Sequence, residues 1–236
     1  MDKRTPPEAL NALPPQAGAG RWWVKVWDAP TRLFHWSIVA LVATSYATAR
    51  LGRIDWHFYS GYAILALVLF RIAWGLAGSQ TARFASFLRS PAAAVAHLRH
   101  ALARQVPDEA GHNAAGGLMV AALLALLLLQ AVSGLFSNDG LFVEGPLAHL
   151  AGPDLSERIT ILHGVVFNLI LAAVAVHVAA VLLYALVLRQ DLVRPMFTGW
   201  KRLPAGTSSP RLAPIWLAGL FAALAAAAVW ALATFA

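Results

Sequence analysis

The chain has no cysteine. That absence excludes disulfides, thiolate-held iron–sulfur clusters and covalently attached c-type haem. Charge is also scarce. Lys, Arg, Asp and Glu make up 12% of the 236 residues, about half of the ~25% usual in soluble domains. Hydrophobic residues reach 59%, and mean hydropathy is +0.65. Such a chain has too little polar surface to cover itself, so its solvent is expected to be lipid. Five apolar stretches are predicted to span a bilayer: Leu33–Ala49, His57–Ala77, Asn113–Phe136, Thr160–Leu188 and Leu212–Phe235. Each approaches the ~20 residues that a crossing helix needs. No internal repeat is evident.

Acidic residues are few, and the net charge is +7. The placement of the basic residues speaks for topology and against nucleic acid. Lys3, Arg4, Arg21, Lys25 and Arg32 precede the first span, and Arg71, Arg83, Arg89, Arg99 and Arg104 lie between spans two and three or at their edges. Arg189, Arg194, Lys201, Arg202 and Arg211 follow span four. Only Arg50, Arg53 and Arg158 fall on the opposite side. The positive-inside rule makes the rich side cytoplasmic. The expected location is the bacterial inner membrane, multi-pass, with the N-terminus cytoplasmic and the C-terminus periplasmic. Residues 1–20 read as a disordered cytoplasmic tail, with no apolar core of a signal peptide. Residues 21–203 read as the bundle, and residues 204–236 as a linker and C-terminal transmembrane helix.

Trp22, Trp23 and Trp27 beside Arg21 and Lys25 suit a membrane–water interface. Ser90-Pro91 resembles a helix start. Val95, Leu98, Leu102 and Val106 then recur at helical spacing against Arg99, His100 and Arg104, which predicts an amphipathic helix on the inner surface or a short soluble helix. The loop from Ser137 to Arg158 is acidic. Span five is alanine-rich, lacks histidine and charge, and is expected at the periphery, packing through small side chains.

Four of the eight histidines sit in or at the spans: His35, His57, His163 and His177. An ionisable group in a span is a functional hypothesis by default, though one imidazole alone can simply bond a carbonyl. Their arrangement says more. His163 and His177 are 14 residues apart, so they share a face within ~40° and are separated by ~21 Å along the helix. Span one enters from inside, which puts His35 at the depth of His177. Span two enters from outside, which puts His57 at the depth of His163. Two bis-histidine pairs result. A bare zinc site needs about four protein ligands, or three and water, and no carboxylate lies in the spans. Haem supplies four equatorial nitrogens, so two imidazoles complete its iron and favour electron transfer over chemistry at the metal. Two haems b are the expected cofactors. Gly61 and Gly164 beside the ligands would admit a flat macrocycle, or serve helix packing. Arg71 lies 14 residues after His57, near the inner level. It would bind a haem propionate bidentately or snorkel to the headgroups.

The segments VWDAPTRLFHW, HFYSGYAILALVLFRIAWGLAGS, ARFASF, GHNAAGGLMV and SGLF, followed by the His163–His177 span, run in order from Val24 to Lys201. In them the chain resembles the bacterial cytochrome b561 and nickel-hydrogenase cytochrome b family. The resemblance implies an all-α transmembrane four-helix di-haem bundle, here with a fifth C-terminal transmembrane helix. Its ligands on the first, second and fourth helices map onto His35, His57, His163 and His177. It also implies electron transfer between quinone and a partner redox protein. Two features depart from the pattern: Gly111 to Ala114 read GHNA where relatives commonly have GHNP, and span five lies outside the shared core. His112 is not a ligand in that pattern.

Three functions follow as expectations. The leading one is an electron-transfer subunit between the quinone pool and a redox partner, either a hydrogenase or a periplasmic cytochrome c. The alternatives are a superoxide:quinone oxidoreductase and a non-redox membrane anchor. Membrane lipid is a partner in all three, and nucleic acid in none.

Overall fold

The computed structural model describes residues 20–141 and 143–235, so most of the expected N-terminal tail lies outside the described residues. The chain is mostly helical. Helix α1 (Ala29–Arg50) starts where the sequence supplies a cap: Asp28 Oδ1 accepts from the Thr31 amide at 2.7 Å, and Pro30 sits in the first turn. A three-residue turn leads into α2 (Ile54–Ala77), so the two form a hairpin. A 3-10 turn (Gln80–Ala82) and the single-turn α3 (Phe84–Phe87) follow. Helix α4 (Pro91–Leu102) is capped by Ser90, which accepts from the Ala93 amide. Asn113 caps α5 (Ala114–Leu135) in the same way, through the Gly116 amide at 2.7 Å. After the short α6 (Ala148–Ala151), Gly152 turns the chain into the 34-residue α7 (Pro153–Leu186). Helix α8 (Val193–Thr198) and α9 (Ile215–Phe235) complete the order.

Helix α2 is the hub. It packs against α1, α5 and α9, and α5 packs in turn against α7. Ile38 of α1, Ile64 and Val68 of α2, Leu127 of α5, and Val166 and Ile170 of α7 form one buried apolar layer. Large apolar side chains point outward elsewhere, as lipid contact requires. Among the described residues four helices, α2, α5, α7 and α9, are long and apolar enough to cross a membrane. Helix α1 has 22 residues but is more polar, with Arg32, His35, Ser37, Thr44, Ser45 and Thr48 in its length.

One expectation changes. The all-α reading misses a two-stranded antiparallel sheet, β1 (Arg21–Lys25) with β2 (Trp200–Pro204), which places Trp22 and Trp23 in a strand. Gly199 makes the approach to it possible. Its φ is +85°, and a Cβ there would stand 2.7 Å from the Trp27 carbonyl. Helix α4 starts at Ser90-Pro91, buries Ala94, His97 and Ala101, leaves Val95, Leu98 and Leu102 exposed, and stops before Val106. Helix α9 packs on α2 through small side chains. Ala218 and Ala225 cluster with Phe70 and Trp74, and Val229 with Leu65. Its linker is pinned by Ala213 N–H to Ser79 Oγ and by Arg211 N–H to Gln80 Oε1, both 3.0 Å.

Candidate functional site

The bundle has a hairpin end, where α1 turns into α2, and a sheet end, where β1 and β2 lie. Helix α7 connects them. Thr160, His163, Val166, Ile170, Ala173, His177, Val181 and Tyr184 form its bundle-facing stripe, and apart from the half-buried Phe167 the residues between them are exposed. His163 and His177 therefore share a face, with Val166 (1% exposed) and Ile170 (2%) sealing the layer between them.

At the hairpin end His57 and His163 meet. Their ring centroids are 6.3 Å apart and their planes nearly perpendicular, at 82°. His57 Nδ1–H donates to the Ser45 carbonyl at 3.0 Å, with the Ser45 hydroxyl at 3.2 Å. The Ser133 hydroxyl donates to the Gln130 carbonyl at 3.0 Å, so it accepts from His163 Nδ1–H, also at 3.0 Å. His163 Nε2 accepts from the Gln130 side-chain amide at 2.9 Å. Both rings are thereby fixed in the tautomer whose Nε2 carries the lone pair. Gly134 backs the arrangement, because a Cβ there would come within 3.1 Å of His163 Cε1. Sequence reading missed Ser45, Gln130 and Ser133. The signal was present: Gln130 and Ser133 are polar residues near the end of a span otherwise built from Leu and Ala.

At the sheet end His35 faces the bundle, and His177 is near enough to act on it electrostatically. Here partners are missing. His35 Nδ1, Thr31 Oγ1, Arg71 Nη1 and His112 Nδ1 are buried atoms without a hydrogen bond; the one other such atom among the described residues is Gln130 Oε1. Arg71 is 2% exposed, so it does not snorkel. Its guanidinium lies over Phe84 at 5.4 Å. Asp28, 5% exposed, is within its electrostatic reach but spends both oxygens elsewhere, on Thr31 N–H and on Trp74 Nε1 at 2.9 Å. That second bond ties the start of α1 to the end of α2 and fixes the height of His35. The Asp-Ala-Pro ahead of an apolar run was its signal.

His112 joins this end. Its ring centroid is 4.7 Å from Trp27 and 4.7 Å from Phe87. Burial pushes its pKa down to about 3, and Arg71, His177 and His35 act in the same direction. Gly75 and Gly117 explain the aromatic packing. A Cβ on Gly75 would stand 2.2 Å from the Phe84 ring, and one on Gly117 2.6 Å from the Phe87 carbonyl. Of the two glycines singled out beside the histidines, neither Gly61 nor Gly164 has any atom within 4 Å of an added Cβ. No group of three or more His, Cys, Asp or Glu among the described residues could hold a bare metal ion.

Comparison with curated proteins and with solved structures returns no match. A family profile does match: prokaryotic cytochrome b561, over residues 26–199, which takes in all four histidines, Arg71 and His112 but not α9. With apolar helices that can cross a bilayer and a match over most of its length, the chain belongs to the prokaryotic cytochrome b561 family of multi-pass membrane b-type cytochromes.

Proposed function

We propose that the chain is a di-haem electron-transfer subunit, with His57 and His163 as axial ligands at the hairpin end and His35 and His177 at the sheet end. It exchanges electrons between the quinone pool and a redox protein, a periplasmic cytochrome c or a hydrogenase. The observation that carries this reading is the His57–His163 pair. An imidazole nitrogen sits ~2 Å from a first-row metal, so two rings opposed across one iron have centroids ~6 Å apart, and here they are 6.3 Å apart. The Nδ1–H bonds to Ser45 and Ser133 are what a metal-binding imidazole needs to hold its tautomer and orientation. On His163 the ligating nitrogen is the one capped by Gln130, so the amide would give way. At the sheet end the fit rests on the unpaired atoms. Arg71 Nη1 is buried without a hydrogen bond although Asp28 is within electrostatic reach, and a guanidinium suits a propionate. When bound, bis-imidazole haem supplies one-electron transfer with no open coordination site.

Helix α1 is the fifth span in this reading, because a ligand on it must reach the bundle core alongside α2. The positive-inside rule then sets the sheet end on the cytoplasmic side and the hairpin end on the periplasmic side of the bacterial inner membrane. The outer loops bear Asp55, Asp139, Glu144, Asp154 and Glu157 against Arg50, Arg53 and Arg158, a face suited to a basic partner. Pyridine haemochrome analysis of the purified chain should give two haems b, both low-spin by electron paramagnetic resonance. One haem, or none, overturns the reading.

A further inference from the structure

His112 has no role in the ligand scheme, yet it is held with care. Its ring lies between Trp27 and Phe87, each 4.7 Å away. Phe87 touches Phe84 at 5.8 Å, and Phe84 carries the Arg71 guanidinium at 5.4 Å. The two nitrogen-bearing side chains are thus set on one aromatic ladder, whose rungs fit only because Gly75 and Gly117 lack a Cβ. Each presents a sealed nitrogen with no partner, His112 Nδ1 and Arg71 Nη1. His35 and His177 are both in electrostatic reach of His112. Buried donors without acceptors are rare, because each one costs the desolvation of a polar group. Arg71 Nη1 is such a donor, and His112 Nδ1 is one in the tautomer that carries its proton there; Arg71 acts electrostatically on His112, so one acceptor would serve both, and the cationic member makes that acceptor an anion. Asp28 is within electrostatic reach of Arg71, but its oxygens accept from Thr31 N–H and Trp74 Nε1–H and leave Arg71 Nη1 without a partner.

We propose that His112 and Arg71 together bind one carboxylate, a propionate of the sheet-end haem, with His112 donating through Nδ1–H. This rests on the di-haem reading and adds a binding residue to it. His112 is a positioning and potential-setting residue that does not touch iron. A neutral donor on a propionate disperses its charge and so stabilises the reduced, more electron-rich haem. Losing it lowers the potential.

The test uses the purified full chain with its haems and two variants. His112→Phe keeps the aromatic slot between Trp27 and Phe87 but removes the donor. His112→Gln restores a donor in a side chain that packs less well. Redox titration followed in the visible bands should show the sheet-end haem, identified as the one lost in His35→Ala, falling in midpoint potential in the Phe variant. The Gln variant should recover most of the fall, and the hairpin-end haem should stay unchanged in both. Transfer of that haem to a scavenging apoprotein should quicken by about tenfold in the Phe variant, the size of one hydrogen bond to a charged group. Fewer than two haems in the unmutated chain overturns the di-haem reading and the clamp together. Two haems, with potential and retention unmoved in the Phe variant, overturn the clamp alone. So does equal damage in the Phe and Gln variants, which would mark His112 as packing.

Discussion

The two ends of the bundle hold their histidines differently. At the hairpin end His57 and His163 spend their Nδ1–H groups on Ser45 and Ser133, so the protein itself orients both rings. At the sheet end His35 Nδ1 is unpaired, as are Thr31 Oγ1, Arg71 Nη1 and His112 Nδ1. One end is complete in its hydrogen bonding, apart from Gln130 Oε1, and the other leaves four buried polar atoms without a partner. The difference teaches that the protein orients its own histidines at one end and leaves polar atoms for another partner at the other, which under the proposed function is an anionic ligand. Substitutions should therefore have different signatures at the two ends.

The largest effect is loss of a whole haem. His57→Ala and His163→Ala should each remove the same haem, and His35→Ala and His177→Ala the other, with spectra of the two classes complementary. A chain in which His35 and His163 shared a haem would break both the comparison and the membrane topology.

Next comes Arg71. Replacing it with Met should act in opposite directions on the two forms of the protein. The haem-free chain should gain up to ~3 kcal/mol, because a buried charge whose Nη1 has no hydrogen-bond partner is removed. The loaded chain should release its sheet-end haem faster. No residue at the hairpin end carries a buried unpaired charge, so no substitution there should show this reversal. A thermal-denaturation series with and without haem reads both signs. Destabilisation of both forms would mean that Arg71 is a structural cation.

Much of this was legible in the sequence, and for physical reasons. Helical rise and direction decide the depth and face of His163 and His177, and a cap such as Ser90 or Asp28 is a local signal. What was not legible depends on contacts between distant segments. Nothing near Trp22 announces that it pairs with Leu203, because a lone strand takes its hydrogen bonds from a partner 181 residues away. The partners of His163 belong to α5, and their value shows only when α5 is laid against α7. The packing of α4 has the same origin. Small residues Ala94 and Ala101 permit close packing against the bundle, so the larger Val95, Leu98 and Leu102 are left outside. Arg71 was open between propionate and headgroup, and its burial speaks against the headgroup.

Smaller again is the orientation of His163. Ser133→Ala should leave the hairpin-end haem bound but reduce its affinity by about 10–100-fold, the usual cost of losing an outer-shell partner of a metal-binding imidazole. Gly134→Ala places a methyl 3.1 Å from His163 Cε1, which should tilt the ring and shift the low-spin g-values of that haem with little loss of it. Neither change should touch the sheet-end haem. Titration of haem into the variant proteins measures the first, and low-temperature paramagnetic resonance the second. An equal effect at both ends would mean that the serine stabilises the bundle as a whole.

The smallest effect lies beyond the haems, on the sheet end's polar rim. Lys201 Nζ donates to the Glu109 carbonyl at 2.9 Å, and Arg21 pairs with Asp108 at 2.7 Å. Burial pushes the Glu109 carboxyl above its ordinary value, although His97, Lys201 and Arg89 pull the other way. Burial likewise lowers Lys201, against the pull of Asp108 and Glu109. A carboxyl whose folded pKa is raised binds protons more readily when folded. Its contribution to stability is therefore fully present below the unfolded pKa and is lost as pH rises through the folded one. Glu109→Gln removes that loss. The variant should melt slightly higher than the parent at pH 7 to 8, and the two should converge below about pH 4, where the carboxyl is protonated in both states. The main-chain bond from Lys201 survives the substitution, so the comparison isolates the side chain. A variant that melts lower at neutral pH would show that the attraction of His97, Lys201 and Arg89 outweighs burial. The sheet end's rim would then be an ion-pair network, in contrast to the unpaired charge of Arg71 beneath it.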